Sequence, residues 1–484
     1  MATIRKILIE GGQTTRVAVI ENDRLAEIYM DRPSQRRLVG SIYVGRVANV
    51  LPGMSACFVD IGEERNAYLQ LDEEQVSGRQ NKLRVKQGQQ LLVQVIKEPV
   101  GAKGARLTRR ITLPGRTLVY VPDMDHVSLS RRIVDEGERD RLRELVNGIR
   151  PEGRGFVVRT VAAGLSEATL SAEASYLVSQ WERLESQSHT VIAPKMLLRD
   201  DDILLKTVRD LVNDQVAAIV VDQQQAYDQV RHLVGEMVPD LLERVQRYQL
   251  DQPIFDYYSV EGQLDKALMR RAWLKSGGYL VIDQTEALTV IDVNTGKNVG
   301  KQNLQETIVN TNLEAVEEIA WQLRLRDIGG IIIIDLIDMQ RPEDQERVLF
   351  ALKEALKADR TRTNVADITA LGLVEMTRKK ERATLSAQLE RECPLCRGTG
   401  HVPTDAALVE KLHRDLLRQS RGLEQPFLVE VNAQLLDTLL EHPCTCQVPV
   451  YARSSRRVGM GRYQITPLVQ DPPADAVRWC AGVE

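Results

Sequence analysis

Three oxygen-bearing side chains stand where two apolar segments in the middle of the chain end. Asp292 and Asn294 close the segment LTVIDVN, and the two-residue period of a strand places them on one face. Asp335 ends the run IIIID. Carboxylate and amide oxygens are hard ligands, and at the carboxyl ends of strands they suit an open Mg²⁺ site that keeps several waters. The spacing alone leaves open an ordinary Asx turn and a capping residue instead.

Two strands, a helix and a third strand would have to position these side chains. Residues 279–282 and 288–293 have the apolar character of strands. A helix follows, and we expect Asn312 to cap it and the glycines at 329–330 to close it. The four isoleucines at 331–334, bounded by glycine, predict a fully buried strand that delivers Asp335.

The composition is typical of a soluble protein with several domains. The chain has 484 residues, of which 27% are charged and 43% hydrophobic. Its apolar runs are too short for a membrane span and residues 1–20 carry no signal-peptide pattern, so we expect a cytoplasmic protein without a transmembrane segment. Six cysteines are too few for a disulfide scaffold at this length.

A formal net charge of −4 is unfavourable for a nucleic-acid-binding protein unless the basic residues cluster. They do so in residues 97–132, which contain eight Lys and Arg residues and three acidic ones. Residues 37–109 contain many short apolar segments with Gly and Pro turns, which predicts a small barrel. Phe58 and Tyr68 on this barrel would either stack bases beside the basic groove or fill the barrel core.

Two further groups of residues could bind ligands. Arg159 and Thr160 end the strand-like segment GFVVRT, and a guanidinium with a hydroxyl suits a terminal phosphate, the alternative being a surface arginine on a strand. Cys393 and Cys396 form a C-x-x-C half-site for zinc, which needs four ligands. The missing ligands would come from a second chain or from within this one. The candidates within the chain are His401, Cys444, Cys446 and Cys480.

Four motifs carry a family resemblance. IDVNTGKNVG, NTNLEAVEEIAWQLRLRDIGGIIIIDLIDM, LGLVEMTRKKER and CPLCRGTG occur in this order and together resemble the catalytic region of the bacterial ribonuclease E/ribonuclease G family. The resemblance covers nearly the whole chain. It implies a magnesium-dependent endoribonuclease that cleaves single-stranded RNA, prefers a 5′-monophosphate end and leaves 5′-phosphate and 3′-hydroxyl products. Asp292 and Asp335 would hold Mg²⁺, and Asn294 would help to place the scissile phosphate.

The resemblance also implies a biological role in maturation of ribosomal RNA and in mRNA decay. Because no long disordered carboxyl-terminal half follows, we expect the ribonuclease G branch of the family. The alternatives are a short ribonuclease E and, from another class, a non-catalytic RNA-binding scaffold protein. The carboxylates at 292 and 335 argue against the scaffold, since binding an anionic ligand needs no acidic residues nearby.

The implied fold is a multidomain α+β protein. A ribonuclease-H-like subdomain carries an inserted OB-fold RNA-binding barrel and a 5′-sensor, and a DNase-I-like α/β catalytic domain, a zinc link and a small α/β domain follow. The barrel expectation also rests on the phrase GRVANVLPGMSACFVDIG, which resembles the OB-fold domain named after a ribosomal small-subunit protein. The expected boundaries are 1–36 with 206–267 for the ribonuclease-H-like subdomain, 37–109 for the barrel and 110–205 for the 5′-sensor. The catalytic domain would span 268–390, the zinc link 391–404 and the small carboxyl-terminal domain 405–484.

Further residues take roles from the same resemblance. The 5′-phosphate pocket would contain Arg159, Thr160, Gly115 and Val119, with supporting contacts from Arg131 and Arg362. The base-binding pocket would contain Phe58, Tyr68 and Lys103. Cys393 and Cys396 of two chains would share one structural Zn²⁺, which implies a homodimer or a dimer of dimers.

Overall fold

The structure is a computed structural model that describes residues 4–31, 38–71, 85–99, 103–200, 202–296, 304–369, 371–442 and 444–480. The chain divides into two compact units, residues 1–385 and 386–484. Among the helices described, none is both long and apolar enough to cross a membrane.

The strands, numbered in chain order, are β1 (Arg5–Glu10), β2 (Thr15–Glu21), β3 (Arg24–Asp31), β4 (Ile42–Leu51), β5 (Ala56–Asp60), β6 (Ala67–Gln70), β7 (Gln90–Lys97), β8 (Arg106–Thr108), β9 (Leu113–Pro114), β10 (Leu118–Val121), β11 (Val127–Leu129), β12 (Gly155–Val158), β13 (Lys195–Leu198), β14 (Val216–Val221), β15 (Val245–Arg247), β16 (Arg271–Trp273), β17 (Tyr279–Gln284), β18 (Leu288–Asn294), β19 (Gly330–Asp335), β20 (Thr363–Ile368), β21 (Leu373–Arg378), β22 (Phe427–Val431), β23 (Val450–Ser454), β24 (Tyr463–Pro467) and β25 (Val477–Cys480).

The helices are α1 (Glu136–Ile149), α2 (Glu167–Thr190), α3 (Ile203–Leu211), α4 (Gln224–Met237), α5 (Ile254–Tyr257), α6 (Val260–Leu268), α7 (Leu304–Leu325), α8 (Pro342–Ala355), α9 (Leu385–Leu389), α10 (Asp405–Gln419) and α11 (Ala433–Glu441).

The first sheet joins the start of the chain to a segment far along it. Its strand order is β15-β14-β1-β2-β3, and β1 runs parallel to β14 with Ile7 opposite Ile219. Helices α3 and α4 contribute to the same apolar core. Residues 170–248 are mostly helical, in α2, α3 and α4, and the short strands β13, β14 and β15 lie between and after these helices. Val216 begins β14 because pairing with β1 overrides the helical spacing of its neighbours.

The second sheet confirms the predicted small barrel. Strand β4 pairs with both β5 and β7, which closes the order β4-β5-β6-β8-β7 into a five-stranded barrel resembling an OB-fold. Gly45 on β4 is required there, because a Cβ would lie 2.4 Å from a methyl group of Val59. Strand β13 adds to the outer side of β4. The separate four-stranded sheet β11-β12-β10-β9 packs with α1 and α2.

The third large sheet carries the acidic residues. Its order is β16-β17-β18-β19-β21-β20, and β18 runs parallel to β19 between antiparallel neighbours. Helices α7 and α8 cover its apolar face. The expectation of a fully buried β19 is wrong, since Ile332 and Ile334 are fully buried but Ile331 is 50% exposed. Only alternate residues of a strand point to one face, and helices cover one face of this strand.

The helix before β19 also differs from the expectation. Asn312 lies inside α7 rather than at its amino-terminal end, and its side chain is fully buried. It was taken for a cap because asparagine is common at helix ends. In the structure it instead contacts the segment that follows Asp335.

The carboxyl-terminal unit is a small α/β domain. Its sheet has the order β24-β22-β23-β25, with β22 parallel to β23. Helix α10 is amphipathic, and the Thr404 hydroxyl caps it by accepting from the backbone N–H of Ala407. Helices α10 and α11 pack on the sheet around Phe427 and Val429.

Candidate functional site

The strand register brings the two expected metal ligands side by side. Strands β18 and β19 are parallel neighbours, and Asp292 stands opposite Asp335 in the ladder. Residues opposite each other on adjacent strands project to the same face of a sheet. Asn294, two positions after Asp292, projects to that face as well, and its Nδ2 donates to Asp292 Oδ2 at 2.7 Å. All three predicted catalytic residues therefore meet at the carboxyl end of a parallel strand pair.

The electrostatics of this cluster favour a bound cation. Partial burial raises the pKa of Asp335, and the nearby negative charges of Asp292 and Asp338 raise it further. Mutual repulsion of this kind is relieved when a divalent cation binds between carboxylates. The donor set consists of carboxylate oxygens with an adjacent amide, which fits the hard-ligand preference of Mg²⁺. Asp338 is a member of the cluster that the predicted site did not include.

Two hydrogen bonds of a buried side chain and a tight glycine turn hold the cluster in place. The Asn312 side chain donates from Nδ2 to the Ile337 carbonyl at 2.8 Å and accepts from the Ile337 N–H at 3.1 Å. It thereby ties the segment between Asp335 and Asp338 to helix α7. At the end of β18, Gly296 has φ +58°, and a Cβ there would lie 2.4 Å from the Gly277 carbonyl oxygen. Only glycine fits this turn.

The expected 5′-phosphate residues also come together. Arg159 Nη1 donates to the Gly115 carbonyl at 2.7 Å, and its backbone N–H donates to Thr117 O at 2.8 Å. The Thr160 hydroxyl lies 3.0 Å from the Ser130 hydroxyl. Arg159 Nη1 is 3.8 Å from Asp210 Oδ1, and the guanidinium is 40% exposed. One N–H of the Arg159 guanidinium is therefore bound by a carbonyl, while the side chain remains accessible to an anion.

A buried carboxylate that sequence analysis did not identify packs behind this pocket. Glu173 on α2 is 1% exposed and accepts from the Thr117 N–H at 2.9 Å and from the Thr117 hydroxyl. Burial raises the pKa of Glu173, and the hydrogen bonds from Thr117 oppose that rise. Gly115 needs its hydrogen side chain because a Cβ would lie 2.2 Å from Glu173 Oε1. Glu173 therefore fixes the loop that presents the Gly115 carbonyl to Arg159.

The other residues expected in the 5′-phosphate pocket, Val119, Arg131 and Arg362, lie on three different segments of the chain. Val119 is on β10 opposite Val157 of β12, the strand that directly precedes Arg159. Arg131 is exposed and directly follows Ser130, the partner of Thr160. Arg362 precedes β20 in the sheet that carries the acidic cluster. Arg360, two residues earlier, donates to the Asp210 carbonyl at 2.6 Å, so this segment reaches the residue that faces Arg159.

The expected base-binding residues lie on one part of the barrel. Phe58 and Tyr68 are opposite each other on β5 and β6, and their rings pack edge to face with centroids 6.2 Å apart. Both are half-buried, so neither is a pure core residue. Lys103 is exposed and precedes Gly104, where a Cβ would lie 2.1 Å from the Asn66 carbonyl oxygen. This close approach brings Lys103 beside the strand of Tyr68.

The expected zinc ligands form a knuckle on the carboxyl-terminal unit. Backbone N–H groups of Cys396 and Leu395, together with the Cys396 side chain, hydrogen-bond to the Cys393 sulfur and lower its pKa. The positive φ of Arg397 and Gly398 turns the chain back after the second cysteine. Cys393 is exposed and Cys396 half-buried. This arrangement fits a thiolate pair for zinc, because zinc is bound by deprotonated sulfur.

A second cluster in the same unit includes a residue that the sequence analysis missed. Potential ligand atoms of His413, Cys444 and Cys446 all lie within 4.8 Å of one another, so the cluster could hold a zinc ion. Both cysteines were expected as possible partners of Cys393 and Cys396. His413 was overlooked because it lies on an amphipathic helix far from them in sequence, where a histidine is usually a surface residue.

The part of the chain that carries these residues matches a known protein family. Residues 112–381, more than half of the chain, match the model of the "Ribonuclease E/G family". This chain belongs to the ribonuclease E/G family. The resemblance predicted from the four motifs is thereby confirmed, and the region of the family match contains Arg159, Asp292, Asn294 and Asp335.

Relatives from both branches of the ribonuclease E/G family are similar to this member. Ribonuclease G of Escherichia coli (strain K12) is 41% identical over 479 residues, which cover 96% of this chain and 97% of that protein. Ribonuclease G of Haemophilus influenzae is 43% identical over 417 residues, 84% of this chain and 85% of that protein. Ribonuclease E of Nostoc sp. is 40% identical over 408 residues, 82% of this chain and 59% of that protein.

Proposed function

We propose that this ribonuclease E/G family member is an endoribonuclease of the ribonuclease G type that cleaves single-stranded RNA and prefers a 5′-monophosphate end. The in-register pair Asp292 and Asp335 is the observation that carries the proposal. Acidic residues would weaken simple binding of a polyanion, so their clustering in an exposed site is best explained by a catalytic metal. The coverage of the ribonuclease G relatives supports the choice of branch.

Asp292 and Asp335 are the residues that would hold Mg²⁺ in this mechanism. The chemistry that Mg²⁺ would supply between these two residues is a lowered pKa for bound water and neutralisation of charge on the phosphate. Asn294 keeps the carboxylate of Asp292 oriented through one N–H of its amide. The second N–H of that amide is available to donate to a phosphate oxygen and to fix the scissile bond. Hydrolysis would leave a 5′-phosphate and a 3′-hydroxyl.

Arg159 and Thr160 would select the 5′ end. The guanidinium and the hydroxyl together offer charged and neutral donors to a terminal phosphate, whereas a 5′-hydroxyl gives them no charged acceptor. Phe58, Tyr68 and Lys103 on the barrel would hold a base and its phosphate in the manner of single-strand-binding barrels. Val119, Arg131 and Arg362 would complete the 5′-phosphate pocket. The substrates we propose are precursors of ribosomal RNA and mRNA, in the cytoplasm.

Cys393 and Cys396 would assemble the protein. A knuckle with two thiolates leaves a tetrahedral zinc half-filled, and two chains together provide a closed Cys₄ site. We therefore expect a homodimer or a dimer of dimers that weakens when both cysteines are replaced. Sedimentation of Cys393→Ser with Cys396→Ser tests this: a double variant that is still dimeric at nanomolar concentration contradicts the shared site.

Cleavage of a short AU-rich oligonucleotide is the test of the proposed activity. The same RNA is prepared with a 5′-phosphate or a 5′-hydroxyl and incubated with and without Mg²⁺. Cleavage that needs the metal and is faster with the 5′-phosphate supports the proposal. Binding without cleavage under all conditions supports a scaffold protein instead, and equal rates on both ends remove the 5′-sensor from the proposal.

A further inference from the structure

We infer that the carboxyl-terminal unit contains a second, self-sufficient zinc site formed by His413, Cys444, Cys446 and Cys480 of one chain. This site is separate from the exposed Cys393 and Cys396 knuckle. Its ligands come from helix α10, from the turn before β23 and from the end of β25. These elements surround one apolar core that includes Cys446 and Cys480.

The imidazole has the form and orientation that a metal requires. His413 Nε2 accepts from the Thr445 backbone N–H at 3.2 Å and lies 2.9 Å from the Thr445 hydroxyl. A ring nitrogen that accepts an N–H carries a lone pair, and here that lone pair faces the turn between the two cysteines. A zinc ion would take the place of these two weak contacts.

The three sulfurs are close enough to share the same ion. Cys444 and Cys446 are hydrogen-bonded to each other through their thiols, and Cys480 also hydrogen-bonds to the Cys444 sulfur. The Cys480 Sγ lies 3.2 Å from the Cys446 carbonyl oxygen and 3.5 Å from that of Cys444. Cys480 lies outside the set of three residues whose ligand atoms are all within 4.8 Å of one another, so its sulfur would shift on metal binding to become the fourth ligand. Three thiolates and one imidazole are an established ligand set for tetrahedral structural zinc.

Burial distinguishes this cluster from a catalytic or labile site. Cys446 is 3% exposed and Cys480 is 6% exposed, while His413 and Cys444 are half-buried. A four-ligand site inside a core has no open coordination position, and its metal contributes to folding. Soft thiolate ligands disfavour Mg²⁺, so this site would not compete for the catalytic ion. Its expected role is to hold α10 and β25 together.

The experiment measures zinc in the full-length protein by elemental analysis and compares two double variants. Cys444→Ser with Cys446→Ser should lose about one zinc per chain. Cys393→Ser with Cys396→Ser should lose about half a zinc per chain and keep the rest. His413→Gln should weaken zinc retention against a chelator, while His442→Gln, an exposed histidine nearby, should not. Unchanged zinc content after Cys444 and Cys446 are replaced would overturn the inference.

Two further measurements keep the test independent of variant folding. The metal-stripped wild-type protein titrated with Co²⁺ should develop the intense visible bands of tetrahedral cobalt with thiolate ligands, and these should persist in the Cys393→Ser, Cys396→Ser variant. Intact-mass analysis after alkylation under denaturing conditions should show all thiols reduced. A disulfide between any two of Cys444, Cys446 and Cys480 in freshly purified protein would replace the metal site by a redox pair.

Discussion

At the scale of single residues, the acidic cluster combines repulsion with accessibility. Asp335 has a raised pKa because it is partly buried and faces Asp292 and Asp338. A group with a raised pKa in the folded protein disfavours its own ionisation, so the ionised pair is destabilising until a cation neutralises it. The same arrangement that costs stability thus favours binding of a divalent cation.

Asp335→Asn tests this cluster. We expect cleavage to fall by on the order of 10²–10³-fold or more, because a charged metal ligand is lost. RNA binding should be unchanged or tighter, since one negative charge near the phosphates is removed. Single-turnover cleavage and fluorescence anisotropy measure the two quantities. Asp265→Asn, an exposed aspartate on α6, is the matched control. Near wild-type turnover of Asp335→Asn at saturating Mg²⁺ would exclude Asp335 as a metal ligand.

Arg159→Ala tests the sensor. The ratio of cleavage rates on 5′-phosphate and 5′-hydroxyl RNA should drop by about ten- to a hundredfold, which corresponds to one charged hydrogen bond of about 1.5–3 kcal/mol. Arg143→Ala removes an exposed arginine from α1 of the same region and should leave the ratio unchanged. An equal loss of rate on both RNAs would mean that Arg159 binds phosphate generally or holds the structure.

Sequence reasoning placed Asp292 and Asp335 close together, and the strand register agrees with that placement. Asp292 and Asp335 could be paired because both follow apolar strands, and strand ends in α/β sheets meet at one edge. Glu173 could not be found, because a glutamate within a helix is normally exposed and only the buried Thr117 loop explains it. His413 was missed for the related reason that its partners belong to distant segments.

At the scale of secondary-structure elements, helix α7 connects the core to the acidic cluster. Asn312 was predicted to cap this helix, but the helix continues through it. Its buried amide forms two hydrogen bonds to the Ile337 backbone. The asparagine was correctly expected to form side-chain hydrogen bonds to the backbone. Its partner is Ile337 and not the first turn of its own helix. Strand β19 shows a similar limit, since four isoleucines do not reveal that only one face of the strand is covered.

Asn312→Ala should loosen the segment after Asp335. The partly buried N–H and carbonyl of Ile337 lose their partner, and we expect a loss of at most about 1–3 kcal/mol in the free energy of unfolding for each group left unsatisfied. Urea denaturation measures this change, and kcat should fall more than the affinity for RNA. Asn310→Ala, an exposed asparagine on the same helix, serves as the control. Equal effects of the two substitutions would show that helix propensity, not the contact to Ile337, matters.

At the scale of the whole amino-terminal unit, buried ion pairs join the first sheet to helix α7. Arg324 on α7 is 4% exposed and donates to Glu21 at 2.9 Å and to Glu27 at 2.9 Å. Arg360 also contacts Glu27, at 3.1 Å. Trp321 donates from its indole to the Leu25 carbonyl at 2.9 Å. The sheet at the start of the chain and the helix over the acidic cluster are therefore coupled in stability.

Arg324→Met tests this coupling. Leaving Glu21 and Glu27 buried with fewer cations should lower the free energy of unfolding by about 3–5 kcal/mol at neutral pH. Burial would raise the pKa of Glu27, but Arg360 and Arg324 lower it to about 2 from its ordinary 4.5. A lowered carboxylate pKa stabilises the fold above the ordinary value, and that stability is lost as the pH falls from about 4.5 towards 2.

The difference between wild type and Arg324→Met should therefore shrink as the pH is lowered from about 4.5 towards 2. Thermal and urea unfolding across this range provide the comparison, with Arg347→Met on the exposed face of α8 as the control. A difference that stays constant with pH would mean that Arg324 contributes through packing of its side chain and not through its charge.

The parallel pairing of β1 with β14 has a consequence for synthesis of the chain. The ribosome makes β14 about 200 residues after β1, which at about 5–20 residues per second is a delay of roughly 10–40 s. During that time the β1–β3 hairpins present an unpaired apolar edge, a known hazard for misassociation. Nascent chains stalled before Val216 should be cut in these hairpins by dilute protease, and chains in which β15 has emerged should resist. The need for chaperones would then be set by the first strand made, long before the sheet that carries Asp292 and Asp335 is synthesised.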